Sequence, residues 1–361
     1  MQTADARVVL VGSLPFGNAE ETFRAVGRSL NGYIGWIPDG EFGERKLWTP
    51  MLPEYVYSKQ PELEETLAPP GHVMAAPPAV DGPPPTDMDG IWNFRIKPGQ
   101  QLRFDDLLYG RFAVESYEVF RRLREEGVVP DGVRFQVSLP SAHSAVDAWF
   151  EDADQWSEAY AAYLDGIKRE IALILEVAPA SDLVFQWDCA QEIVDLGMGE
   201  ANAMKWFPKL TVEEKFERHA SQLGPLGDAI PDEALLGFHW CYGTWGGWPA
   251  VAMPDLGVCV RFSNEAVRRV DRRVDYVHMP VLRRPEQAFF APLSDLDIGG
   301  TRVFLGMVHH TDSIEDFRRR RDLARRFLPE FGIASVCGYG RLDPAEVHDV
   351  LDLHASDAAE L

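Results

Sequence analysis

The chain has 361 residues, 46% apolar and 25% charged, a globular mixture that excludes wholesale disorder and collagen-like structure. Its 35 Lys and Arg against 57 Asp and Glu leave a net charge of −22, which excludes a nucleic-acid binder without a hidden basic face. No apolar stretch reaches the ~18 residues of a membrane span. Residues 1–7 lack the charged-then-apolar layout of a signal, so a soluble, cytoplasmic protein is expected. The 4 cysteines are too few for a disulfide framework and point instead to burial, metal or catalysis.

Short apolar runs alternate with helical patterns. A strand is expected over Val8–Phe16, a helix over Ala19–Leu30 and a strand over Tyr33–Pro38. Residues 44 to 131 interrupt the alternation. Pro69-Pro70, Pro77-Pro78 and Pro83-Pro84-Pro85 cannot continue a helix or a central strand, and one amphipathic helix, Leu107–Glu126, follows them. Strands are then expected at Val133–Leu139, Leu183–Asp188, Leu235–Tyr242, Tyr276–Val281, Arg302–Val308 and Ile333–Cys337. Helices are expected at Gln155–Val177, Val212–Leu223, Asn264–Arg272, Ile314–Phe327 and Pro344–His354. Thr211 with Glu214, and Ser313 with Asp316, have capping-box spacing, and Gly224 and Gly332 fall near helix ends. Arg318 to Arg321, with Arg325 and Arg326, read as a solvated helix face.

Near-continuous apolar strands alternating with helices predict a single-domain (β/α)8 TIM barrel over 1–361, for which about 250 residues suffice. The excess, 44–131, is expected as an insertion lying over the catalytic face. An open doubly wound sheet is the weaker alternative. It lacks a glycine-rich dinucleotide turn: Gly197-Met198-Gly199 has neither the third glycine nor a preceding strand.

Barrel active sites form at the C-terminal ends of the strands. There the sequence puts Gly12-Ser13, Asp39-Gly40-Glu41, Ser138 with Ser141 and His143, and Asp188 with Glu192. His239-Trp240-Cys241, His278, His309-His310 and Cys337-Gly338 follow on the later strands. Residues i and i+2 of a strand share a face, so His239 and Cys241 converge as two ligands of one zinc would, and Cys337 is a third. The opposing reading makes all three packing residues, as Cys189 and Cys259 are expected to be.

These motifs resemble the cobalamin-independent methionine synthase family, specifically its C-terminal catalytic barrel, in the superfamily shared with uroporphyrinogen decarboxylase. Val11-Gly12-Ser13-Leu14-Pro15 is similar to its first-strand motif, Asp39-Gly40-Glu41 to its acidic motif, and Gln186-Trp187-Asp188 to the strand of its substrate-binding Asp. His239-Trp240-Cys241-Tyr242 is similar to its zinc pair; Leu305-Gly306-Met307-Val308 and Val336-Cys337-Gly338-Tyr339-Gly340 are similar to its last two strands. The resemblance implies zinc at His239, Cys241 and Cys337. It implies that Gly12, Ser13, Glu41 and Asp188 hold the polar ends of an amino-acid thiol whose sulfur the zinc binds, and that His309 or His310 handles protons.

The chain departs from the family in two places. It has one barrel where full methionine synthases have two. Pro280 stands where the strand-6 carboxylate ligand belongs, so His278 substitutes or the site is a three-ligand type resembling the alkyl- and epoxyalkane–thiol transferases. The expected activity is a zinc-dependent methyl or alkyl transfer onto a thiol. Two thiolates and one imidazole leave zinc nearly neutral, a poor hydroxide source but a good thiolate holder. Trp240, Trp245 and Trp248, around Gly246-Gly247, are expected as a platform for a folate-like or aromatic donor; Arg283, Arg284, Phe289 and Phe290 are further donor candidates. The alternatives are a metal-independent decarboxylase or lyase, and a zinc-stabilised scaffold binding a partner through the insertion.

Overall fold

The structure, a computed structural model, describes residues 6–69, 91–202, 204, 206–244 and 248–361. In chain order the first elements are β1 (Val8–Val9), α1 (Ala19–Ser29), β2 (Trp36–Pro38), β3 (Leu63–Leu67), β4 (Asn93–Ile96) and α2 (Tyr109–Glu125). Next come β5 (Arg134–Pro140), α3 (Ala142–Val146), α4 (Trp156–Val177), β6 (Leu183–Cys189), α5 (Gln191–Gly197), α6 (Val212–Ala220) and α7 (Leu223–Gly227). The rest is β7 (Leu235–Trp240), α8 (Gly257–Arg269), β8 (Tyr276–Pro280), α9 (Gln287–Phe290), β9 (Arg302–Val308), α10 (Ile314–Ala324), β10 (Gly332–Ser335) and α11 (Val347–Ala359).

Eight strands form one parallel sheet in the order β1-β10-β9-β8-β7-β6-β5-β2. Bridges Val8–Ile34 and Ser13–Gly40 join its two edges, so the sheet closes into a (β/α)8 barrel and the open sheet is ruled out. Strands buried on both faces need apolar residues at nearly every position, which is why β6 is buried along its whole length. Trp36, Val184, Leu235, Tyr276 and Phe304 belong to an interior cluster separate from the main core. Gly237 gives the Tyr276 ring its room, since a Cβ there would strike it.

Several expected elements differ in detail. The first strand shrinks to two residues, with a lone bridge at Ser13. The helix expected over Val212–Leu223 breaks after Ala220 and resumes as α7, with Pro225 supplying no N–H. Helix α8 begins at Gly257, not Asn264, because Cys259, Phe262, Ser263 and Ala266 bury one face at helical spacing. Gly224 and Gly332 serve close packing, against the Arg269 carbonyl and the Phe304 ring, and neither has a left-handed backbone. Both capping boxes form. Arg318 and Arg319 on α10, and Arg325 and Arg326 just beyond it, are exposed, but Arg320 is buried, donating to the carbonyls of Met307 and Arg283.

The helix expected within the insertion belongs to the barrel. Helix α2 packs between α1 and α4, with Phe120 edge-on to Phe23 and Tyr117 bonded to Asp182. The excess therefore ends before Tyr109. Its described part carries the antiparallel β3–β4 pair, seated on the segment that leaves the C-terminal end of β5. The Phe94 N–H donates to the Trp149 carbonyl at 2.8 Å, and the Tyr57 hydroxyl donates to the Ala145 carbonyl at 2.8 Å. Pro70, Pro77-Pro78 and Pro83-Pro84-Pro85 lie outside the described residues. No helix among the described residues is long and apolar enough to cross a membrane.

Candidate metal centre

Strand alternation and register assemble the centre. On β7, His239 faces the interior beside Asp188 of β6 and His278 of β8, its register partners. Cys241 follows β7 on the same face, and barrel closure brings in Cys337 from beyond β10. Ligand atoms of His239, Cys241 and Cys337 lie within 4.8 Å of one another, with the two sulfurs 3.5 Å apart. Donation from Cys241 holds the Cys337 thiol well below its usual range, and the same contact, with burial, pushes Cys241 up. Among the described residues no hydrogen bond reaches the buried His239 Nε2, and the ring lies close enough to the Cys337 thiol to help lower it. An orphaned imidazole nitrogen beside two thiols is a donor set that fits zinc.

His278, offered above as a fourth ligand, stands outside this group. Its Nδ1 lies 2.5 Å from His239 Nδ1 and its Nε2 3.0 Å from the Ser335 carbonyl, so neither nitrogen is free. Pro280 contributes no donor, and the group among the described residues consists of His239, Cys241 and Cys337.

Glu41, Asp188 and Ser13 gather at the same mouth. Burial pushes Glu41 up to about 8, with Arg45 pulling the other way. Burial also raises Asp188 well above the carboxylate range, and Glu41 adds to the shift. At Gly12 a Cβ would lie 2.7 Å from Glu41 Oε1, so a larger residue would displace that carboxyl group. Ser13 bonds to Glu41, and its carbonyl accepts from the Tyr339 N–H at 2.7 Å. Gln186 donates to Asp188 at 2.8 Å and to the Val11 carbonyl at 2.6 Å, fixing the Asp188 side chain. Asp39 is spent on structure, paired with Arg45 at 2.6 Å and Ser116 at 2.7 Å.

Trp240 does not face the centre. Its parity is opposite to that of His239 and Cys241, so it points into the helical layer, where it donates to Ser263 Oγ at 2.8 Å and stacks on Phe238. Of the proposed platform, Trp245, Gly246 and Gly247 lie outside the described residues. Trp248 stacks on Tyr242 and meets His309 edge-on at 5.6 Å. Phe289 and Phe290 are core residues. Arg283 is engaged with Asp312 at 2.7 Å. His309 is buried, with Nε2 2.9 Å from the Val281 carbonyl, and burial pushes it down to about 4. His310 sits nearer solvent, 3.4 Å from Glu346.

A second buried group, His143, Asp147 and His219, has no sequence signal: its members come from α3, the loop after it and α6. It closes on itself. His143 and His219 meet at 2.8 Å, His219 reaches Asp195 at 3.0 Å, and Asp195 takes Lys215 at 2.9 Å. Arg218 holds Asp147 at 2.6 Å, a cation already where a metal would need the carboxylate.

No family model matches the sequence, and no curated protein matches it. Solved structures do share its fold. A Listeria monocytogenes protein assigned as a vitamin-B12 independent methionine synthase superposes with a TM-score of 0.56 at 12% identity, over 95% of this chain and 86% of its own. A B12-independent methionine synthase from Shewanella sp. W3-18-1, solved with selenomethionine, gives 0.60 at 13% identity, over 98% and 96%. The chain thus has the barrel fold of cobalamin-independent methionine synthase-like proteins, across nearly its whole length.

Proposed function

We propose that the chain is a zinc-dependent transferase that moves a methyl or alkyl group from a small-molecule donor onto a thiol. His239, Cys241 and Cys337 would hold the zinc. The support is the buried His239 Nε2, which no hydrogen bond reaches among the described residues, beside two thiols 3.5 Å apart. The fold shared with B12-independent methionine synthases agrees with it. Held by these residues, zinc would supply a Lewis acid of low net charge that favours the ionised form of a thiol at neutral pH.

The chain's own residues orient the thiol. Glu41 and Asp188 are both buried and both resist ionisation alone. A substrate ammonium entering between them supplies one counter-charge, which favours ionisation of the carboxyl it pairs with, and the released proton passes to solvent. Ser13 Oγ and the neighbouring backbone receive the substrate's carboxylate end. His309, neutral at pH 7 with Nε2 bonded to the Val281 carbonyl, keeps Nδ1 as an acceptor. His310, beside Glu346, stands between His309 and solvent.

Elemental analysis should find about one zinc per chain. X-ray absorption at the zinc edge, with homocysteine and a panel of amino-acid and sulfonate thiols, should show a sulfur replacing a light-atom ligand. If no thiol adds that sulfur, the transferase reading fails and a metal-independent lyase takes its place.

A further inference from the structure

We infer that His278 is a positioning residue that fixes the tautomer of His239, so that a bare Nε2 faces the two thiols; this rests on the zinc reading above. The two Nδ1 atoms are 2.5 Å apart, which leaves room for a single proton between them. The Ser335 carbonyl, 3.0 Å from His278 Nε2, can only accept, so that nitrogen carries hydrogen. A second hydrogen on the same ring would make a fully buried imidazolium that, among the described residues, faces another imidazole and a carbonyl and no balancing carboxylate. His278 Nδ1 is therefore the acceptor and His239 Nδ1–H the donor. With that hydrogen fixed on Nδ1, the lone pair His239 can offer a metal is on Nε2, the buried atom that no hydrogen bond reaches among the described residues.

Gly306 shows how closely the relay is fitted. A Cβ there would lie 2.7 Å from His278 Nε2 and 2.8 Å from the Ser335 carbonyl oxygen, so a larger residue would occupy the space of that hydrogen bond. One chain of bonds thus runs from the β10 carbonyl, past Gly306 of the intervening β9, through the β8 ring to the β7 ring. Hydrogen bonds of this kind orient a ligating imidazole and raise its basicity.

The test compares parent, His278→Leu and His278→Gln proteins for zinc affinity, by competition with a chromogenic chelator, and for the visible spectrum of the cobalt-loaded protein. His278→Leu should bind zinc about 10- to 100-fold more weakly and shift the cobalt bands. His278→Gln offers an amide oxygen to His239 and an amide N–H to Ser335, and should recover much of the loss. Nitrogen-15 NMR of the metal-free parent, labelled at histidine, should find hydrogen on His278 Nε2 and on His239 Nδ1. The inference is overturned if His278→Leu keeps parental affinity and spectrum, or if His278 carries its hydrogen on Nδ1. If the parent takes up no zinc, the metal reading fails, and the NMR of the metal-free protein still decides the relay.

Discussion

Cys241 and Cys337 are the residues that separate a metal centre from a packed core. Zinc binds thiolate sulfur in preference to a hydroxyl, so Cys241→Ser and Cys337→Ser should each purify folded with little zinc by elemental analysis. Full occupancy in both would place the metal elsewhere. Glu41 makes a separate prediction for the metal-free protein. Its carboxyl is raised from an ordinary 4.5 to about 8 in the folded state. Between those values the folded chain keeps a proton that the unfolded chain has lost, so stability falls as pH rises through the window and levels above it. Melting temperatures from pH 5 to 9 should therefore decline less steeply for Glu41→Gln than for the parent; parallel curves would show that the group does not titrate this way. The His239–Cys241 pair was legible because strand parity is a property of the chain itself. The same parity sends Trp240 outward, against its expected place at the substrate.

Strand β7 shows that parity in energetic terms. Trp240→Phe should cost about 1–2 kcal/mol in urea unfolding, from the lost bond to Ser263 and the lost volume, with zinc content unchanged. Reduced zinc at unchanged stability would put Trp240 back at the centre. The buried group on α3, α5 and α6 makes a different demand. Removing the guanidinium in Arg218→Leu leaves Asp147 buried without its counter-charge, at an expected cost of about 3 kcal/mol or more. Arg218→Leu with Asp147→Leu should cost less than the single change, because the stranded charge goes too. Urea titrations of the two proteins check the order. Sequence reading placed Ser141, His143 and Glu192 at strand ends but not in one network. His143 and His219 are 76 positions apart, and no local pattern marks them as neighbours.

At the scale of the whole barrel, the seam between β1 and β2 is its weakest line. It is held by the Val8–Ile34 and Ser13–Gly40 bridges, whereas β5 and β6 pair continuously from Phe135 to Pro140. Hydrogen exchange followed by mass spectrometry should therefore find faster exchange in peptides from residues 8–14 and 33–40 than in those from β5, β6 and β7. Equal protection along the seam would mean that the ring is held by packing of α1 and α11 more than by its bridges.

The amino-acid sequence by itself determined the strand–helix alternation, the eight-stranded closed class, the two capping boxes and the His239–Cys241 pair. Each follows from spacing along the chain, where periodicity and side-chain direction are local physics. Only the tertiary structure decided which neighbour each of these residues meets. Barrel closure carries Cys337 to Cys241 across 96 positions, and the β7–β8 register sets His278 against His239 at ring distance. The same packing moves α2 out of the insertion and into the helical ring. These are consequences of how strands align and helices pack between them, and alignment across strands is not written in the residues of either strand alone.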